Sequence, residues 1–247
     1  MNRKRNVPAV SAEWAMKEFP NARDAEREPL LKLGELKPGD IVLDLQAAGG
    51  YLSDGVYDYL KGDVSLICLE PCDELRARLS TKYYSVDDSV ENWCSIANES
   101  VDVVLGLAGL HHSEDHQATI NEAYRVLKKG GRIVICDVEN GSDMAKWLNG
   151  YVNGNNPSGH KGNFIKTGSL SKLFENTGFF SVNETRKQVS WCFGSFEAAA
   201  KFFKGLFGIE KKEEEILLAM HEYLRLYKEN DMFWVDWSLI YGIAVKK

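Results

Sequence analysis

Short apolar runs recur from Ile41 to Val138, each separated from the next by a segment of helical length and a turn, and this rhythm constrains the fold most. The runs are residues 41–45 (IVLDL), 64–69 (VSLICL), 101–107 (VDVVLGL) and 132–138 (RIVICDV), with a weaker one at 83–86. Runs of this length and apolarity suit strands buried on both faces. Lys37-Pro38-Gly39-Asp40 and Lys61-Gly62-Asp63 punctuate them, and the intervening segments 51–60 and 72–82 read as helices. His116, Ile120, Ala123, Tyr124 and Leu127 fall at helical spacing, and Lys128-Lys129 ahead of Gly130-Gly131 closes that helix. Strands alternating with helices mean right-handed βαβ units, and so an α/β protein with a doubly wound, mostly parallel sheet.

The flanks break the rhythm. Residues 11–33 read as one or two helices with Trp14, Phe19, Leu30, Leu31 and Leu33 as anchors and a break at Pro20-Asn21. Residues 150–162 (GYVNGNNPSGHKG) read as a lid or a disordered connection. A helix is expected near 169–176 and a strand near 182–189. Phe196, Ala199, Ala200, Phe203, Leu206 and Phe207 mark one amphipathic helix, and Ile216, Met220, Tyr223, Leu224 and Tyr227 a second. Residues 233–245 form a strand-like run.

Composition narrows the function. Among 247 residues, 30 Lys+Arg against 36 Asp+Glu give a formal charge of -6, which argues against a surface that tracks nucleic-acid phosphates. No apolar stretch approaches the roughly 20 residues that span a bilayer, and the basic first residues lack the apolar run of a signal peptide. Cys68, Cys72, Cys94, Cys136 and Cys192 are odd in number and scattered, which fits a reduced, cytoplasmic chain. The expected partner is a small molecule, with no nucleic acid and no membrane; the oligomeric state is not legible.

In an open α/β sheet the ligand crevice lies beyond the carboxyl ends of the strands. The loop Asp44-Leu45-Gln46-Ala47-Ala48-Gly49-Gly50 sits there, small enough for close backbone approach and followed by a helix start. Glu70 ends the second strand, twenty positions beyond Gly50, where an acid can accept hydrogen bonds from ribose hydroxyls.

These residues resemble a family. VLDLQAAGG, ICLEP, SVDVVLGLAGLHH and EAYRVLKKGGRIVICDVE in this order are similar to the class I S-adenosylmethionine-dependent methyltransferases, in their small-molecule branch. The likeness covers about residues 36–138, and SLIYGIAVKK is similar to that fold's last antiparallel strand. It implies a Rossmann-like, seven-stranded sheet with one antiparallel strand near the C-terminus. It implies S-adenosylmethionine as cofactor: Asp44 orienting the loop, Gln46, Ala47, Ala48 and Gly50 facing the methionine part, Glu70 with Pro71 at the ribose, Asp87 or Asp88 at the adenine amine, and Leu107 with the residues up to Leu110 at the sulfonium.

The family's D-x-G-x-G-x-G is altered, because Gln46 and Ala48 stand where its first two glycines would be and only Gly50 remains, with Gly49 beside it. A side chain at such positions resists positive φ. Either the loop runs slightly differently and still binds the cofactor, or binding has decayed; the alternative to an enzyme is a non-catalytic protein, cofactor-binding or cofactor-free, that uses the same cleft for binding or assembly. A nicotinamide-dependent dehydrogenase, which needs G-x-G-x-x-G, finds no such triple here.

Methyl transfer needs positioning, and a base only where the acceptor has a proton to lose. His111 and His112, just past the fourth strand, are the catalytic candidates, although LHH there also suits a structural or substrate-shaping role. His160 in the Gly/Asn loop reads as a solvated surface residue, and His116 and His221 as helical ones. His111, His112, Glu114, Asp115 and His116 form a local cluster, but no remote ligands with zinc-like spacing accompany them, so no metal is expected. Most aromatic residues near the two late helices are expected to form that insertion's own core, and a few at its inner edge, with Trp14 and Phe19, to roof an apolar acceptor pocket. The expected organisation is a helical flap over residues 1–35 and an α/β domain over 36–247, with a helical insertion at 190–232.

Overall fold

The computed structural model describes residues 12–247. The helices at Glu13–Glu18 (α1) and Asp24–Gly34 (α2) precede β1 (Ile41–Leu45), α3 (Tyr51–Tyr59), β2 (Ser65–Leu69), α4 (Asp73–Arg76), β3 (Tyr84–Val86) and β4 (Val101–Leu107). A 3-10 turn at Leu110–His112 leads into α5 (His116–Val126) and β5 (Leu127–Asp137). These strands and β10 (Ser238–Val245) and β6 (Phe180–Gln188) form one seven-stranded sheet in the order β3-β2-β1-β4-β5-β10-β6. Only β10 runs antiparallel to its neighbours, β5 and β6. The strand order reverses between β1 and β4, so their carboxyl ends open the crevice of a doubly wound sheet.

The sheet forms where β-rich apolar runs can be covered on both faces. Val42, Leu43 and Leu45 of β1, and Val101, Val104 and Leu105 of β4, are fully buried. One face packs against α5 and α8 (Ser169–Thr177) through Ile120, Ala123, Leu170 and Phe174. The other packs against α2, α3 and the segment before β10.

Several elements depart from the sequence reading. The helix expected over 72–82 is α4, a single turn, and Tyr83 starts the next strand's approach. The stretch expected as a lid, 150–162, is helical in its first part: α6 (Asp143–Lys146) widens into a π-helix at Trp147–Val152, then α7 (Asn153–Asn155), while 156–162 forms no helix or strand. Trp147 and Val152 bury their side chains there, which gives the segment the apolar anchors that its Gly/Asn composition hides. The run 233–245 is two strands, because the chain leaves one sheet at Val235 and enters the other at Ser238. The segment before β10 holds the two expected helices, α9 (Phe196–Leu206) and α10 (Glu213–Tyr223). It also holds a three-stranded antiparallel sheet of β7 (Trp191–Phe193), β9 (Met232–Val235) and β8 (Leu226–Glu229), which the helical pattern did not suggest. Phe19 packs edge-on against Phe193 and Phe202, and Trp14 is 39% exposed beside Gly205, so neither roofs the cavity described below.

Candidate active site

Past β1 the chain takes a left-handed turn at the two altered positions: φ is 58° at Gln46 and 48° at Ala48, and 95° at Gly50. The loop therefore keeps a glycine-type course with a side chain at two of three such places, at a cost of roughly 1–2 kcal/mol each. Ala47 N–H bonds Leu69 O at 3.0 Å and Gly50 N–H bonds Ala47 O at 2.8 Å, which fixes the turn against β2. Gln46 lies against Gly109, where any Cβ would come within 2.8 Å of the Gln46 Cβ. Its Oε1 is buried and has no hydrogen-bond partner among the described residues.

Asp44 sits beneath this loop, 2% exposed, and accepts a 2.6 Å bond from the Ser53 hydroxyl, which also meets the Cys68 sulfur at 3.1 Å. It ties β1 to α3 and β2. Burial pushes its carboxyl up from 3.8 to about 7, with Ser53 opposing and Glu70 adding to the rise. A carboxyl raised in the folded state costs nothing below the unfolded value, and its ionisation destabilises progressively between pH 4 and 7. Asp44→Asn should therefore match the parent at pH 4 and exceed its stability at pH 8, by up to ~4 kcal/mol. Denaturant melts at both pH values check this; a pH-independent difference would contradict it.

Glu70 stands at the tip of β2 as expected, but it does not face an open crevice. It is 1% exposed, and its oxygens accept the N–H groups of Ala48 and Cys72, each at 2.8 Å. Burial pushes its carboxyl up, against the pull of those two donors. The acid thus clasps the loop itself, because the β2 turn brings it closer to Ala48 than spacing alone conveys. Pro71 follows it, half-buried. Asp87 is exposed, and Asp88 accepts the Ser95 N–H at 2.8 Å and its hydroxyl at 3.2 Å, so it braces the β3–β4 connection. Leu107 is half-buried at the end of β4, and the next residue, Ala108 (φ 50°), is the one that reaches the cavity.

That cavity, about 140 Å³, lies over the ends of β4 and β5. Ala48, Leu75 and Ala108 line the loop side, His111, His112 and His160 one wall, and Trp191, Phe207 and Trp237 the roof. Asp137, the last residue of β5, is fully buried and accepts the His111 N–H at 2.8 Å and the Val138 N–H at 2.6 Å. Its Oδ1 lies 2.8 Å from His111 Nδ1, so the carboxylate assigns the Nδ1 proton and leaves the Nε2 lone pair free. The His112 ring lies 4.1 Å from that of His111, centre to centre.

His160 is not a solvated surface residue. It is 7% exposed, 5.3 Å from the His111 ring and stacked on Phe164. Burial drives the His112 imidazole well below its usual range and pushes that of His160 down to about 4, with His111 adding to both. Sequence reasoning also missed Arg23 and Glu26, which line the same cavity from α2. Glu26 is fully buried, paired with Arg23 at 2.7 Å and bonded by the Trp191 indole at 3.0 Å. Asp137 was findable, since it ends a strand as Glu70 does; His160, Arg23 and Glu26 carry no local signal.

The methyltransferase-domain family model matches residues 20–183. No curated protein matches the chain significantly. The YcgJ protein of Bacillus subtilis has a similar structure, with a TM-score of 0.65 at 14% identity, covering 91% of this chain and 99% of that one. A SAM-dependent methyltransferase from Thermotoga maritima superposes with a TM-score of 0.57 at 16% identity, covering 94% of this chain and 96% of its own. Phosphoethanolamine N-methyltransferase 2 of Haemonchus contortus, solved with S-adenosylhomocysteine, reaches 0.63 at 15% identity over 89% of this chain and 52% of that one. Among the described residues no helix is long and apolar enough to cross a membrane.

Proposed function

Because the chain belongs to the class I methyltransferase-domain family, we propose that it moves a methyl group from S-adenosylmethionine to a small-molecule acceptor held in the histidine-lined cavity. The observation that carries this reading is the left-handed backbone at Gln46 and Ala48. Two side chains tolerate a conformation that glycine takes freely, beside a cavity, and strain of that kind marks sites where the backbone course itself is needed.

The residues fit the cofactor. Gln46 Oε1 is a buried acceptor without a donor among the described residues, suited to the ammonium of a methionine moiety. Each Glu70 oxygen accepts one N–H and retains a further lone pair for a ribose hydroxyl. Residues 46–50 would hold the amino-acid part and Glu70 the sugar. When bound, the cofactor supplies a methyl group on an electrophilic sulfonium. The chain's own contribution is to hold the acceptor between Ala108 and the imidazoles, to exclude water beneath Trp191 and Trp237, and to receive an acceptor proton at His111 Nε2, with Asp137 stabilising the resulting charge. A small acceptor with an apolar body suits the roof, and Arg23 offers a cation to any acidic group it carries.

Calorimetry of the full chain with S-adenosylmethionine and with S-adenosylhomocysteine tests the proposal, and both are expected to release or absorb heat and raise the melting temperature. A second reading, a non-catalytic binding protein, is favoured by the Glu70 carboxylate already engaged with Ala48 and Cys72; absence of both heat and thermal shift would count against the first. Ala48→Gly should bind the cofactor as tightly as the parent or more so, since it relieves roughly 1 kcal/mol of left-handed strain. Markedly weaker binding would show that the Ala48 methyl group itself shapes the site.

A further inference from the structure

The methyl-transfer reading uses the imidazoles of His111, His112 and His160 as a wall and His111 Nε2 as a base, but it does not call on the convergence of their nitrogens. One nitrogen from each lies within 4.8 Å of the other two. Three imidazoles packed together gain little from each other's company, and His160 Nδ1 is buried without a hydrogen-bond partner among the described residues. The segment that carries His160 is nevertheless pinned at several points. The His160 N–H donates to Asn153 Oδ1 at 2.9 Å, and the Asn163 N–H donates to His111 O at 2.8 Å. Asn149 bonds both the N–H and the carbonyl of Gly162, at 2.7 and 2.9 Å. The fold spends side-chain and backbone hydrogen bonds on bringing a histidine from beyond α7 to the pair after β4.

We propose that His111, His112 and His160 form a binding site for one divalent transition-metal ion of the zinc class, with an open position facing the cavity. Three protein nitrogens and a free fourth site is the ligand pattern of zinc centres that take a substrate or water. Imidazole ligands select zinc, cobalt, nickel or copper over magnesium and calcium. Asp137 stands behind His111 as the carboxylate that orients a metal-bound imidazole and raises its basicity. Its buried carboxylate offsets part of the ion's charge, whereas Glu26 in the same cavity is already paired with Arg23. Tetrahedral coordination needs the nitrogens about 3.4 Å apart, so side-chain rotation of ~1 Å closes the set. The acceptor class follows: a molecule presenting an oxygen or nitrogen donor to the ion, whose proton the ion would make easier to lose. With the ion bound, His111 Nε2 would be a ligand and not the base; the ion would lower the acceptor's pKa, and the proton would leave to solvent water as the acceptor binds.

The three ligands lie outside the proposed cofactor loop, so metal uptake is tested apart from the methyl-transfer reading, on which only the acceptor class rests. The full chain, freed of metal with a chelator, is titrated with Co²⁺ and Zn²⁺. One ion per chain is expected, with the intense visible absorption of tetrahedral cobalt. His160→Gln and His112→Gln are each expected to weaken uptake at least a hundredfold while leaving the far-ultraviolet circular dichroism and the metal-free melting temperature near those of the parent. Asp137→Asn, which keeps its place in the packing, should weaken it about tenfold or more. Absence of stoichiometric uptake by the parent overturns the proposal, as does uptake unchanged in both histidine variants. Should one variant fail to fold, the other decides. Metal uptake without any response to S-adenosylmethionine would leave the site standing and the methyl-transfer reading refuted, and the converse result would do the reverse.

Discussion

Arg23→Met is expected to cost the fold about 3–5 kcal/mol, the range measured when one partner of a buried ion pair is removed. Glu26 is fully buried, and its Oε2 accepts from the Arg23 guanidinium at 2.7 Å. Its other oxygen takes the Trp191 indole N–H at 3.0 Å. Without the guanidinium, the carboxylate keeps one donor and no counter-charge in a wall that water scarcely reaches, and burial already pushes its carboxyl up against the pull of Arg23. The melting temperature should fall by roughly 6–20 °C for a chain of this size. Arg23→Met combined with Glu26→Gln should recover most of the loss, because the stranded charge goes and the indole keeps an acceptor. A single variant costing less than 1 kcal/mol, or a double variant no better than the single, would contradict the account.

Glu70→Ala is expected to weaken S-adenosylmethionine binding at least tenfold, and about a hundred- to ten-thousandfold if two charge-assisted bonds to ribose are lost at roughly 1.5–3 kcal/mol each. The same change removes the acceptor of the Ala48 and Cys72 N–H groups, so thermal stability should fall as well. Glu70→Gln separates the two effects. The neutral amide keeps the side-chain volume and one of the two acceptor oxygens, so it should lose less stability than the alanine variant while still losing most of the affinity. Calorimetry and melting on both variants check this, and unchanged affinity in Glu70→Ala would remove the ribose assignment.

The sheet was legible because its signal is local. Residues 41–45, 64–69 and 101–107 are strands within a residue of where their apolar runs place them. The candidate site was half legible for the same reason. Asp44, Glu70 and the loop between are set by position along strands, and His111 and His112 by the turn after β4. What stayed hidden depends on where distant segments return. His160 sits in a stretch whose composition reads as solvated, and only the anchoring of Trp147 and Val152 reveals that it turns inward. Glu26 looks like any acidic residue in a first helical turn until Trp191, 165 residues later, supplies its donor. The direction of the Glu70 carboxylate was likewise illegible, because spacing fixes the strand tip and not whether a side chain reaches outward or folds back on its own amides.

The placement of β10 between β5 and β6 bears on how the molecule is made. On the ribosome, β6 emerges about fifty residues before the strand that will flank it, and it has no other neighbour in the sheet. Until then β5 and β6 both present bare edges, while the intervening helices and small sheet are already being synthesised. The nascent chain must keep those edges from pairing with other molecules, so the yield of native protein is set by how soon β10 arrives rather than by how fast the first six strands condense.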